Sequence, residues 1–304
     1  MTKAPDFQIG KVTDDPAKSA PVGTQFNVIW NDYYPLIDSG AGSLGDEWTH
    51  FDTALLALCF GDGRTIRLDG SAVLIGPGLA LAAKHVIEPI LDALLAGSVA
   101  PVAVSVTANG IVHWRVHQII RGGTDVAILR LDLASAYPPH GLQCATLSTR
   151  TPAVGEPVMI AGVRSEQVIQ PGEPLGLTVR VGVGEVSDVY EIGRDRVLLP
   201  TPCVAVRCLT LGGMSGGPAF DKNGHLIGIL TSSLEDDVGP SNVSLWWPTA
   251  ADPIESLWPP GLTTLPTSLL ELAQAGVIKI VGADALTSIA GGESNFEVEY
   301  RPWT

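Results

Sequence analysis

The sequence predicts an all-β fold of two packed barrels, and three observations carry that expectation. Of the 304 residues 45% are apolar and only 16% charged, which supplies a substantial buried core. Glycine contributes 34 residues and proline 23, so turns are frequent and long helices are disfavoured. Short apolar runs separated by turn residues form two blocks of similar size, joined by Ala134-Ser135-Ala136-Tyr137-Pro138-Pro139-His140-Gly141, which reads as a linker.

Residues 1–50 are rich in Pro, Asp, Gly and Ser, and Asp38-Ser39-Gly40-Ala41-Gly42-Ser43 reads as a flexible turn region, so this part is expected to be an N-terminal extension that wraps the core. The first barrel is expected over residues 51–135. There the runs 54–60, 65–68 and 71–75 are separated by Gly61-Asp62-Gly63 and Asp69-Gly70, the pattern of hairpins. The apolar run 78–81 leads to a short helix over 87–95, followed by strands near 102–107, 111–120 and 126–131. The second barrel is expected over 136–245, with most of its strands between 157 and 233. Residues 246–304 form a C-terminal tail in which Trp246-Trp247-Pro248 and Trp258-Pro259-Pro260 punctuate a loop. A cap and apolar spacing predict a helix over 267–275 there, with a strand over 277–281. The tryptophan loop is expected to pack on the second barrel.

Eighteen basic residues against 32 acidic ones give a net charge of −14, which argues against nucleic-acid binding, since phosphate recognition needs clustered Lys and Arg. No apolar stretch approaches the roughly 20 residues of a membrane helix, so no membrane partner is expected. The start Met1-Thr2-Lys3-Ala4-Pro5-Asp6 lacks the apolar run of a signal peptide. Cys59, Cys144, Cys203 and Cys208 form no dense framework, and together these features predict a cytoplasmic location with free thiols. Cys203 and Cys208 have no second Cys or His pair at finger spacing and read as buried small hydrophobes. His113 and His117 are four apart in a strand-like run, which puts both on one face, but His50, His113, His117 and His140 show no convergence with carboxylates. No metal and no cofactor are expected.

Gly213-Met214-Ser215-Gly216-Gly217-Pro218 sets a serine among glycines that can free backbone N–H groups for an oxyanion. A serine hydroxyl is a poor nucleophile unless a base and an orienting acid serve it. Ala82-Ala83-Lys84-His85-Val86 places a histidine where an apolar strand gives way to a helical turn. Gly122-Gly123-Thr124-Asp125-Val126 places an acid at the entrance to another apolar strand, where a histidine N–H would offset its burial. Gly213-x-Ser215-x-Gly217 also fits the nucleophile elbow of α/β-hydrolases, but that design needs its histidine after the serine. The later histidine His225 lies ten residues on, in the turn Asp221-Lys222-Asn223-Gly224-His225, and regular βα alternation is missing.

With chain order His85, Asp125, Ser215, the segments match Ala-Ala-x-His, Asp-x-Ala-x-Leu and Gly-x-Ser-Gly-Gly-Pro, and over roughly residues 50–235 the sequence resembles trypsin-like serine peptidases with the chymotrypsin fold. The resemblance implies two packed six-stranded antiparallel barrels, here with N- and C-terminal extensions. It implies a serine endopeptidase that acts on a protein or peptide substrate through an acyl-enzyme. His85, Asp125 and Ser215 would be catalytic, and the N–H groups of Gly213 and Ser215 would form the oxyanion hole. Alignment to the family puts Leu209 at the floor of the specificity pocket, Thr210 beside it, and Thr231, Ser232 and Ser233 on the wall. No charge lies at these positions, so a small or medium apolar side chain is expected before the scissile bond.

Two departures from the family refine the expectation. Digestive relatives carry an acid before the serine that pairs with a newly cut N-terminus, whereas this chain carries Met214; and the residue immediately after His85 is Val86 rather than a cysteine. The chain therefore resembles bacterial members that fold directly into an active form. The tail is too short and too poorly patterned for the peptide-binding module of bacterial quality-control relatives. It is expected to cap the active site or bind an activating protein partner, so that removing residues 260–304 changes turnover or peptide affinity without unfolding the barrels. The alternative function is a protease-like binding or scaffolding module with a latent active site, its oxyanion turn collapsed.

Overall fold

Apolar runs alternating with glycine turns become strands, and the strands close on themselves twice. The computed structural model describes residues 27–35, 42–45, 50–61, 66–107, 110–138, 140–165, 176–196, 199–232, 240–255, 257, 266–289 and 298–303. Two short strands come first, β1 (Val28–Asn31) and β2 (Gly42–Gly45). The first barrel comprises β3 (Leu55–Gly61), β4 (Ile66–Gly76), β5 (Leu79–Ala83), β6 (Ala100–Thr107), β7 (Gly110–Arg121) and β8 (Val126–Leu133). It closes antiparallel in the order β3-β4-β5-β8-β7-β6. Both β5 and β8 are buried along their whole length; β5 is a continuous apolar run, whereas β8 is apolar through Leu129 and then carries Arg130 and Asp132, a buried ion pair.

The helix expected over 87–95 starts earlier and is split. It comprises α1 (Lys84–Ile87), a 3-10 turn (Glu88–Ile90) and α2 (Leu91–Leu95). Pro89 lies in that turn, lacks an N–H and so interrupts the ladder. In β7 the residue between Val116 and Gln118 falls in a bulge. That residue, His117, is exposed and its Nδ1 lies 3.3 Å from Asp132 Oδ2, whereas burial lowers the pKa of half-buried His113.

After the linker come β9 (Leu142–Ala145), parallel to β1, and β10 (Leu147–Ser148). The second barrel comprises β11 (Pro157–Arg164), β12 (Thr178–Tyr190), β13 (Cys203–Arg207), β14 (Pro218–Phe220), β15 (Leu226–Ser232) and β16 (Ser241–Leu245). Antiparallel pairing runs β11-β12-β13-β16-β15-β14 and returns from β14 to β11, giving a second closed six-stranded barrel. The molecule therefore has the two-barrel, all-β fold of the chymotrypsin type. Gly42 and Ser43, read from sequence as part of a flexible turn, belong instead to β2, which pairs with Val179–Val181 of β12. The rest of that turn region, 38–41, and residues 1–26 of the extension lie outside the described residues.

The tail adds a 3-10 turn at Trp247–Thr249, α3 (Leu269–Gln274), β17 (Ile280–Val281), β18 (Leu286–Ser288) and β19 (Val298–Tyr300). Ser268 caps α3, its hydroxyl accepting the Glu271 N–H at 3.3 Å and donating to the Glu271 carboxylate at 3.2 Å. The strand expected over 277–281 is confined to its last two residues, because Val277 and Ile278 instead join the core. Trp258 and 259–265 lie outside the described residues. The tail reaches beyond the second barrel: Arg130 of β8 donates to Leu257 O at 3.3 Å, and a Cβ on Gly76 of β4 would lie 2.7 Å from Ile278 Cγ2. Trp246 Nε1 donates to Ser148 O and Trp303 Nε1 to Thr149 Oγ1, each at 2.7 Å, fastening the tail to the segment between the barrels. Among the described residues no helix is long and apolar enough to cross a membrane. The four cysteines are buried and unpaired.

Candidate active site

His85 stands in the first turn of α1, two residues after β5 has ended at Ala83. The N-cap side chain of α1 makes no capping bond, so Asp125, the residue just before β8, does that work. Lys84 N–H donates to Asp125 O at 2.6 Å and His85 N–H donates to Asp125 Oδ1 at 3.0 Å. The other carboxylate oxygen, Oδ2, lies 2.9 Å from His85 Nδ1. One carboxylate thus fixes both the main chain and the ring of the histidine. Its side chain is 12% exposed against 40% for His85, and the two bonds offset the cost of burying that charge. Thr124 Oγ1 accepts the Val126 N–H at 2.9 Å and pins the loop on either side of Asp125. With Nδ1–H directed at the carboxylate, the lone pair of Nε2 is the basic end of the ring.

Ser215 comes from the second barrel, on a turn held by Met214 N–H to Leu211 O at 3.1 Å and Gly217 N–H to Met214 O at 2.9 Å. Gly213 and Gly216 have φ of 91° and 83°, values that a side chain would disfavour. The turn is docked on the first barrel by Ser71 of β4. Ser71 N–H donates to Ser215 O at 2.7 Å, and its hydroxyl donates to Gly213 O at 3.2 Å while accepting Val163 N–H at 2.8 Å. A Cβ on Gly216 would lie 2.9 Å from Ala83 N, two residues before His85. A Cβ on Gly70 would lie 2.8 Å from both Ser215 O and Val86 Cγ1. The segments that carry Ser215 and His85 therefore face each other across the seam between the barrels. The side chains of Ser215 and His85 are not hydrogen-bonded to each other, and such bonds commonly tighten only when substrate is present. Among the described residues neither the Gly213 nor the Ser215 N–H has an acceptor.

Of the residues assigned to a specificity pocket, Leu209 is 44% exposed, whereas Thr210 and Thr231 are buried. Thr210 Oγ1 lies 2.7 Å from Ser241 Oγ, which donates onward to Cys208 O, and Thr231 Oγ1 lies 2.7 Å from Ser244 Oγ. Ser232 ends β15, and Ser233 lies outside the described residues. Sequence reasoning missed Ser71, Ser241 and Ser244. Each is a fully buried hydroxyl in a strand, and the signal that could have found them is the demand of a buried hydroxyl for a partner.

A family model for the trypsin-like peptidase domain matches residues 70–229, more than half of the 304 residues and a span that contains His85, Asp125 and Ser215. Among solved structures the chain is similar to neuropsin, a serine protease expressed in the limbic system of mouse brain. The two are 18% identical with a TM-score of 0.47, over 67% of this chain and 93% of neuropsin. It is also similar to Deg5, with 20% identity and a TM-score of 0.42, over 62% of this chain and 84% of Deg5. No curated protein sequence matches it. With that peptidase domain matched over more than half of its length, this chain belongs to the trypsin-like peptidase family and is a serine protease.

Proposed function

We propose that the protein is an endopeptidase in which Ser215 attacks the scissile carbonyl, His85 Nε2 takes its proton and Asp125 holds the imidazole. The observation that carries this reading is the double grip of Asp125, one oxygen on the His85 N–H and the other on Nδ1. That grip sets the tautomer with Nε2 unprotonated and steadies the imidazolium formed during attack. The imidazolium then protonates the leaving amine, and water repeats the sequence on the acyl-enzyme. The uncommitted N–H groups of Gly213 and Ser215 support a role as oxyanion donors, each worth about 3 kcal/mol in the transition state.

The hydroxyl pairs Thr210–Ser241 and Thr231–Ser244 are uncharged, and with Leu209 they favour a small or medium apolar side chain before the scissile bond. The substrate class is a protein or peptide, and the tail remains the candidate docking element for an activating protein partner. A peptide-library digest tests both parts. Cleavage after small or medium apolar residues, abolished by Ser215→Ala, is expected. Dominant cleavage after Lys or Arg would overturn the specificity, and undiminished cleavage by Ser215→Ala would overturn the mechanism.

A further inference from the structure

We infer that Met214 is a positioning residue, a neutral latch that holds the oxyanion turn in its working shape. The inference rests on the reading of Ser215 as nucleophile and of the Gly213 and Ser215 N–H groups as oxyanion donors. Met214 lies between those two donors, and its side chain is turned inward, 1% exposed. Its place is cut into β11: a Cβ on Gly162 would lie 2.7 Å from both Cα and Cβ of Met214 and 2.9 Å from its Cγ. Only a glycine in that strand leaves room for the methionine backbone to come so close. Met214 Sδ then accepts the Leu211 N–H at 3.3 Å, while Met214 N–H and carbonyl bond to Leu211 O and Gly217 N–H.

Every polar bond of the residue is therefore spent within the turn, and its apolar surface is spent on the barrel. A turn held this way needs no buried carboxylate and no ammonium partner. It commits the Met214 N–H inward and leaves its neighbours on each side, Gly213 N–H and Ser215 N–H, without an acceptor among the described residues. Removing the side chain opens a cavity beneath the turn, and the cheapest way to fill it is for the turn to sink, which misdirects both donors. Leucine, of similar volume, keeps the fill while losing the sulfur acceptor.

The full chain and its Met214→Ala, Met214→Leu and Gly162→Ala variants are reacted with a fluorophosphonate, whose phosphoryl oxygen occupies the oxyanion position. Thermal melts are recorded alongside. Met214→Ala is expected to label at Ser215 at least 10-fold, and up to about 10²-fold, more slowly while folded, and Met214→Leu within about threefold of the wild-type rate. Gly162→Ala pushes the latch from the strand side and is expected to slow labelling like Met214→Ala. It serves as the deciding variant should Met214→Ala fail to fold. Adding residues to the N-terminus is expected to leave the rate unchanged. Wild-type rates in folded Met214→Ala or Gly162→Ala, or a rate that falls on N-terminal extension, would overturn the latch while leaving Ser215 as nucleophile. Absence of Ser215 labelling in the wild-type chain would instead overturn the reading on which the latch rests.

Discussion

At the scale of single residues, Asp125 is the most constrained group in the site because both its oxygens are accepting, one from the His85 N–H and one from the ring. Asp125→Asn cannot serve both. Its amide oxygen satisfies the main-chain donor, its NH2 faces Nδ1, and the histidine is forced into the tautomer that protonates Nε2. Turnover is predicted to fall by about 10⁴-fold with the fold intact, checked by kcat on a cleaved peptide and by the thermal transition. His85, Asp125 and Ser215 stood out as candidates in the sequence because their chain order and flanking glycines are local patterns. Ser71 was not, since its value lies in bonds to Gly213, Ser215 and Val163, which only the folded chain brings within reach. Met214 was legible only as a missing acid; the notch at Gly162 that receives it belongs to another strand.

Among elements, the tail departs most from its sequence reading. Strand runs and glycine turns are visible in sequence because period and turn chemistry are local, so most of the first barrel was legible, although Asp69-Gly70, read as a turn, lies inside β4, and the second barrel was legible only as a β-rich block. The tail has no such period, and its packing partners lie on both barrels. Leu269 and Leu272 are fully buried, and Val277, Ile278, Leu286 and Val298 belong to the same core. Deleting 260–304 is therefore predicted to destabilise the barrels rather than leave them folded, since each buried aliphatic chain contributes about 1.5–3 kcal/mol. A lowered midpoint in urea checks this; an unchanged midpoint would contradict it. The tail also presses on the loop before Asp125, where a Cβ on Gly122 would overlap the Asp252 carboxylate. Gly122→Ala is predicted to cost no more than about 1 kcal/mol, because the contact is with a carboxylate that can rotate away, read from the same urea curves.

Over the whole molecule, acid sensitivity has an identifiable contributor. Burial pushes the Glu156 carboxyl up, but its bond to Arg150 and the Arg150 charge, with help from Ala153 N–H and Lys222, outweigh that and leave it below the ordinary value of about 4.3. A folded-state value below the unfolded one contributes stability that is present above the unfolded value and lost as pH falls through the folded one. Glu156→Gln is predicted to flatten the fall in melting temperature below about pH 4.3. An unchanged acid slope would contradict it. The thiols report on the same closed packing: burial pushes Cys59 up to about 12 and Cys203 and Cys208 to about 11, so alkylation at neutral pH is expected only after unfolding. The two barrels meet where Ser71, Gly70 and Ala83 face the Ser215 turn, so the site exists only when both are folded and docked. The central claim is that this seam activates one serine. Fluorophosphonate labelling of the intact chain, mapped by mass spectrometry, tests it most directly. Modification of Ser215 alone, abolished by Ser215→Ala and strongly slowed by His85→Ala, is the predicted result. An unmodified chain, or modification that persists in Ser215→Ala, would contradict it.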